Sequence, residues 1–482
     1  MLTNITLENF KAFQKLDNLK VKPITILCGT NSCGKSSILQ SILLLKQTLE
    51  NKNPNQNLVF NGRFVKLGYF EDIIYQKKEE NEIRIEANTS VRIKEWEGSD
   101  PSLNVKFSLT LKKTSDANNK LDYRVTSLFI NPSTRSSSND DASTNVSVLL
   151  EYVSGDFYDI SWKNVPVNNK DIGKERLEID LTNLCLVSIK SKNGHNILSK
   201  DVQKEQFSHL LKFFSAMNVY FTHIYNKYSY IGPLRGEPER EYIYRDEVVE
   251  IGNKGENAAY LYLNEKDRLI HNHYFYDNRQ DSFNEIDTIS IKDALNKWMT
   301  LMKIDNFDAE IINKIIYLSQ NASKFDGTKV GIADVGFGVS QIFPIILEGL
   351  RMQKGATLLL EQPEIHLHPN LQMQMADYFI ALALSEKQVM VETHSDHVIN
   401  RLVRRIVEDD THNLKDLIGI YFVKPTENGS VYEEIIIDDT KGVTNWPVDF
   451  FDQTATEQMK IMQAGVKKRK QKRETKINEP VG

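Results

Sequence analysis

The spacing of apolar residues changes character several times along the chain, and each change predicts a different element. Met1 to Phe10 alternates apolar and polar positions and reads as a strand. Ile24 to Cys28 is an apolar, β-prone run, and Ser37 to Leu45 has helical length and good helix formers, so the first motif reads strand, loop, helix. After the polar turn Asn51 to Asn57, the Asn61-Gly62 pair between apolar runs predicts a hairpin. Short alternating segments such as Ile83–Ala87, Val105–Leu111 and Leu177–Leu181 recur from about residue 82 to 190 and predict an antiparallel sheet. Ser133 to Asn145, rich in Ser, Asn and Asp, predicts a loop. From about residue 200 to 320 the texture becomes helical, with helices predicted over Val202–Tyr225, Ile291–Met302 and Asp308–Leu318. No three or four heptads run together, which excludes a long coiled coil. Thr357–Leu360 and Val389–Thr393 then read as strands, and Ile418–Val423 and Tyr432–Ile437 flank Asn428-Gly429 as a closing hairpin.

At 482 residues the chain exceeds one compact core of ordinary size, which predicts two or three domains or one head with large insertions. Hydrophobic content of 40%, charged content of 26% and a net charge of −5 describe a globular protein and demand neither nucleic acid nor membrane as partner. No apolar run approaches the ~18 residues of a membrane span, and the first residues lack the basic start and apolar stretch of a signal peptide, so a cytoplasmic location is expected. Cys28, Cys33 and Cys185 make neither a disulfide framework nor a metal cluster.

The segment Gly29-Thr30-Asn31-Ser32-Cys33-Gly34-Lys35-Ser36 fits G-x-x-x-x-G-K-[ST] and sits where a phosphate-binding loop must sit. Gly29 and Gly34 let the backbone turn and point its N–H groups inward, and the helix start adds the positive end of a macrodipole. Lys35 can reach the β- and γ-phosphates of a bound ATP, the Ser36 hydroxyl can ligate Mg²⁺, and Asn31 and Ser37 complete the cradle. Cys33 lies inside this loop, either as a tolerated thiol or as a point where a thiol reagent blocks nucleotide.

Downstream, Thr357–Leu360 ends in Glu361-Gln362-Pro363-Glu364. An acidic residue at the tip of a buried strand, after a phosphate loop, is the Walker B arrangement that holds Mg²⁺. The glycines and serine of Asp334 to Gln341, opening an apolar helix, form either a second anion-binding surface or a tight turn. His366, His368, His394 and His397 offer His-x-His spacing, but no cysteine joins them and each follows a strand of the same sheet, which argues against zinc. Arg235 and Arg240, in the Gly/Pro-rich turn Tyr230 to Arg240, either approach a phosphate or a neighbouring subunit, or are solvated surface charges. Lys467 to Lys476 carries seven Lys and Arg against one Glu, a solvated end or a nucleic-acid contact.

Together, Ile5–Phe13, the loop, Gly336–Gln341, Leu358–Glu364 with the His-Leu-His-Pro sequel, and Glu392-Thr393-His394-Ser395 resemble the ABC-type AAA-family ATPase heads of the RecF, SMC and OLD group. The segments Tyr230-Ile231-Gly232-Pro233-Leu234-Arg235 and Asn445 to Asp452 are similar to those of stand-alone bacterial members. The resemblance implies an α/β fold: an ABC-type head with a mixed central sheet, an antiparallel β-rich elaboration and an inserted helical subdomain. Its expected division is residues 1–80 and 326–445 for the two parts of the head, 81–198 for the β-rich elaboration, 199–325 for the helical insert, and 446–482 for a C-terminal element and basic tail.

Carried across by resemblance, Gly29, Gly34, Lys35 and Ser36 cradle ATP, Glu361 is the Mg²⁺-side acid and His394 senses the γ-phosphate. Gly336, Gly338 and Ser340 are then contributed in trans by a second head, which implies a head-to-tail homodimer. Such heads usually carry Asp-Glu at the strand tip, where Glu polarises the attacking water. Here Gln362 holds that place and cannot take a proton, so slow hydrolysis is expected, with Gln362 orienting the water or Glu364 serving as base. Fewer than ninety residues follow His394, and they hold no acidic cluster like that of the Toprim domain in OLD nucleases. The chain also resembles ATPase components of bacterial anti-phage systems such as Septu, PARIS and Gabija. That implies a sensor or scaffold controlling an effector protein, for instance a nuclease; a DNA-repair clamp of RecF type is the alternative.

Overall fold

The computed structural model describes residues 1–51, 58–92, 102–115, 121–135, 146–167, 170–182, 184–190, 201–243, 250–321, 328–334, 337–447, 457–466 and 468–469. Strands β1 (Leu2–Phe10), β2 (Phe13–Lys20) and β3 (Ile24–Gly29) lead into α1 (Lys35–Glu50) and the single turn α2 (Phe70–Ile73). A seven-strand meander follows: β4 (Ile83–Arg92), β5 (Ser102–Ser115), β6 (Leu121–Arg135), β7 (Ser147–Ser154), β8 (Phe157–Val167), β9 (Lys170–Thr182) and β10 (Cys185–Lys190). The insert comprises α3 (Asp201–Asn226), β11 (Tyr228–Ile231), β12 (Tyr242–Ile243), α4 (Ala258–Glu265), β13 (Leu269–Asp277), β14 (Ser282–Ser290), α5 (Ile291–Leu301), β15 (Asp305–Ile312), β16 (Ile315–Asn321) and β17 (Lys329–Gly331). The chain then runs through α6 (Phe337–Arg351), β18 (Thr357–Glu361), α7 (Pro369–Leu384), β19 (Gln388–Glu392), α8 (Asp396–Glu408), α9 (Leu414–Leu417), β20 (Ile418–Thr426) and β21 (Gly429–Glu434). It is an α/β fold.

Two large sheets organise these elements. The first is wholly antiparallel, in the order β10-β9-β8-β7-β6-β5-β4-β1-β2. The second runs β11-β18-β19-β3-β20-β21, parallel throughout except for the last hairpin. Because side chains alternate across a strand, each parallel strand serves two cores. Leu27, Leu359, Met390, Tyr421 and Val423 pack on the side of α1, α3 and the antiparallel sheet. Ile24, Ile26, Cys28, Leu358, Leu360, Val389, Val391, Ile420 and Phe422 pack on the opposite side, with α4 to α8. That two-sided burial is why these strands read as continuous apolar runs. Gln388 joins the sheets: its side-chain amide accepts from Leu2 N at 3.1 Å and donates to Leu2 O at 2.8 Å.

The meander, α3, α5 and the closing hairpin form as the sequence predicts. The helix expected over Asp308–Leu318 does not: that segment is the hairpin β15–β16, turned at Asn313-Lys314 with φ of 54° and 66°. Two consecutive left-handed residues make the primed turn that matches strand twist, and the isoleucines on either side supply β-branched pairs. The insert thus combines helices with two hairpins. At Asn61-Gly62 the predicted hairpin shrinks to a single antiparallel bridge, Asn61 to Lys66. The Ser133–Asn145 segment from 136 on, the Asn445–Asp452 element from 448 on, and nearly all of the basic tail lie outside the described residues.

Candidate nucleotide-binding site

Every strand of the parallel set ends at the same rim, and there the site assembles. β3 ends at Gly29, whose φ of 140° only glycine adopts readily; a Cβ there would meet Val423 O at 2.0 Å. Asn31 is exposed at the loop's tip, Ser32 turns at φ 60°, and Gly34 at φ 94° leads into α1. The loop closes around Lys35, a buried lysine whose Nζ donates to Thr30 O at 2.7 Å and Gly29 O at 3.3 Å. Ser37 N donates to Gly34 O at 3.0 Å, starting the helix, and Ser36 is half-buried beside it.

The neighbouring strands bring three carboxylates to this rim. Glu361 and Glu392 are register partners at the tips of β18 and β19, and Glu392 in turn pairs in register with Leu27 beside the loop. Burial, and secondarily the Glu392 charge, push the Glu361 carboxyl up to about 7, although Tyr230 donates its hydroxyl to Glu361 Oε1 at 3.1 Å. Burial also raises Glu392, against the Ser36 hydroxyl within hydrogen-bonding reach and the Lys35 charge. Glu364 accepts from His394 N at 2.7 Å through Oε1, and burial raises it as well. Oε2 of Glu364 and Oε2 of Glu392 are buried with no hydrogen-bond partner.

Gln362 lies in the left-handed region at φ 46°, its N–H donating to Glu392 O at 2.7 Å. His394 is half-buried between β19 and α8; burial, then the Lys35 charge, lowers its pKa. Gly338 and Ser340 occupy the first turn of α6, and Gly336 lies outside the described residues. His368 caps α7, its Nδ1 accepting from Asn370 N at 3.3 Å, so a structural role accounts for it.

Three members of this rim were not legible as such. Glu392 carried the same signal as Glu361, a carboxylate closing an apolar run. Tyr230 belongs to a segment that carries the resemblance, but nothing in it pointed to Glu361, which lies 131 positions away. Arg235 is 7% exposed, its Nη2 donating to the carbonyls of Gln362 at 3.2 Å and Pro363 at 3.3 Å, whereas Arg240 is an exposed partner of Asp334. Gly/Pro-rich composition cannot separate those two arginines.

A glycine loop at a helix start, its lysine folded inside, with carboxylates at the tips of the next two parallel strands, defines a P-loop nucleoside triphosphatase head. Within that class, residues 1–399 match AAA_15, the AAA ATPase domain, and the chain belongs to this family. A search of the curated proteins gives no match. Among solved structures the chain is similar to the SMC head domain from Thermotoga maritima, with 11% identity, 90% of this chain and 99% of that chain covered, and a TM-score of 0.38. It is also similar to an Smc head bound to the C-winged helix domain of ScpA, at 11% identity, coverage of 90% and 98% and a TM-score of 0.41. Among the described residues no helix is long and apolar enough to cross a membrane.

Proposed function

We propose that this chain is a slow ATPase that works as a nucleotide-switched homodimer, controlling a partner effector in bacterial anti-phage defence. The observation that carries the ATPase part is the shared rim: Lys35 and Ser36 on the loop beside Glu392, with Glu361 in register with Glu392 and Glu364 on the turn that follows Glu361. The unpartnered, buried Oε2 of Glu392, beside the Ser36 hydroxyl and with Glu361 as register partner, makes a set of hard oxygen donors, which fits Mg²⁺. Ser36, Glu361 and Glu392 are the residues that would hold it, and bound there it would neutralise phosphate charge. Asn31 and the loop N–H groups from Gly29 to Ser37 bind the phosphates, with Lys35 supplying the cation inside the loop.

Glu364 is favoured over Gln362 as proton acceptor. It is a carboxylate with a free oxygen whose pKa burial moves toward neutrality, while an amide can only orient water. His394, its pKa lowered by burial and by the Lys35 charge, would sit on the γ-phosphate side. Gly336, Gly338 and Ser340 would cover the nucleotide of the second head. Assays of phosphate release and ATP binding test this reading. Glu364→Gln should abolish turnover with ATP still bound, and Gln362→Glu should change the rate little; the reverse pattern makes Gln362 the acting residue. Co-purification with the neighbouring encoded protein tests the effector, expected as a stoichiometric complex. A lone dimer that shifts DNA through the basic run from Lys467 to Lys476 would instead support the RecF-like clamp.

A further inference from the structure

Arg235 holds a position that phosphate binding does not explain. Its Nε donates to Gln341 Oε1 at 3.1 Å and its Nη2 to the carbonyls of Gln362 and Pro363, while Nη1 is buried with no hydrogen-bond partner. Gln341, 2% exposed on α6, donates its own Nε2 to Gly236 O at 3.2 Å. The two side chains thus clamp three pieces of backbone: the turn after β11, the helix α6 and the turn after β18. A guanidinium taken out of water is costly, and here it meets neutral acceptors. The nearby Glu364 charge favours its charged form, yet burial still pulls it down to about 10. A group merely filling space would not need a planar fork of donors at that spot.

We infer that Arg235 is a positioning residue: it fixes the Gln362–Pro363 turn that carries Glu364, and through Gln341 it ties that turn to α6. The turn needs such a hold because Gln362 sits at φ 46°, a conformation that costs a non-glycine residue energy unless its surroundings impose it. Because Gly338 and Ser340 lie in the first turn of α6, a displacement of that helix on dimer closure would reach the turn carrying Glu364 through Arg235, by two hydrogen bonds in series. This inference rests on the ATPase reading above.

The test is steady-state ATPase kinetics on the full chain, with ATP binding and thermal unfolding measured in parallel for Arg235→Ala, Arg235→Lys and Gln341→Ala. Arg235→Ala should lower kcat on the order of 10²-fold, as loss of a preorganised polar group does, while the Kd for ATP stays within about threefold. Arg235→Lys should recover only part of the rate, since a single ammonium cannot reproduce the fork. Millimolar guanidinium should restore turnover in Arg235→Ala and not in Arg235→Lys, a rescue that a fold defect would not show. Gln341→Ala should reduce kcat less than Arg235→Ala. Loss confined to KM, or loss that follows unfolding without rescue, overturns the inference. An active wild-type chain with an unaffected Arg235→Ala overturns it alone, whereas a wild-type chain that binds ATP and never hydrolyses it overturns the ATPase reading as well.

Discussion

The two large sheets use opposite logic. In the six-stranded sheet β11, β18, β19, β3 and β20 run the same way, so their C-terminal ends collect at one rim, and Gly29, Glu361 and Glu392 arrive there together. In the nine-stranded sheet every neighbour runs antiparallel, so strand ends alternate between two edges and no rim gathers. Its charges spread instead over the solvent face in cross-strand pairs such as Lys106–Glu86 and Arg176–Asp159, while Ile83, Ile85, Val105, Phe107, Leu109 and Leu111 fill the inner face. One sheet concentrates chemistry and the other builds a wall. Parallel direction, rather than composition, makes the difference.

Truncating the wall should give the largest effect and spare the site. Phe107 is buried and meets Phe221 of α3 edge-on with ring centroids 5.1 Å apart. Phe107→Ala should cost about 3–5 kcal/mol in chemical denaturation. ATP affinity measured below the transition should stay unchanged, and a tenfold loss of affinity would show that the sheets do not divide the labour. Next, on the proposed ATPase reading, Lys35→Ala should lower ATP turnover on the order of 10²-fold with little change in unfolding temperature, because it removes the cation proposed to meet the phosphates. A full collapse of the fold on that substitution would make Lys35 a structural strut.

The smallest effect is a matter of pH. A carboxyl raised to about 7 in the folded state binds more protons than it does unfolded, so its burial destabilises increasingly as pH climbs from about 4.5 to 7 and stays constant above. Glu361→Gln should therefore stabilise the nucleotide-free protein by roughly 2 kcal/mol at pH 8, at 1.36 kcal/mol per pKa unit with allowance for partial exposure. The gain should vanish near pH 4.5. Equal stabilisation at both pH values would mean that the rim does not perturb Glu361.

Much of this was legible in the chain because local rules governed it. The loop from Gly29 to Ser36 is contiguous, the meander alternates cleanly, and the apolar run before Glu361 ends in a charge. What was hidden depends on distance along the chain. Tyr230 meets Glu361, Glu364 meets His394 N, and Arg235 meets Gln341 only once β11, β18 and β19 lie side by side. The Asp308–Leu318 error was local but no less physical. A dense set of isoleucines suits helix or strand, and Asn313-Lys314 is a weaker turn signal than Asn-Gly, so tertiary pairing with β12 and β17 decides the outcome.

The pairing of β3 with β19 and β20 also has a consequence in time. Residue 29 leaves the ribosome more than 360 residues before its partner strand ends at 392. At roughly 5–20 residues per second that is an interval of about 20–70 s, during which β3 has no partner strand in its own sheet. Until then the growing chain carries an apolar strand and a lysine with no acids beside it. The site should therefore become competent only once β19 and β20 have been made.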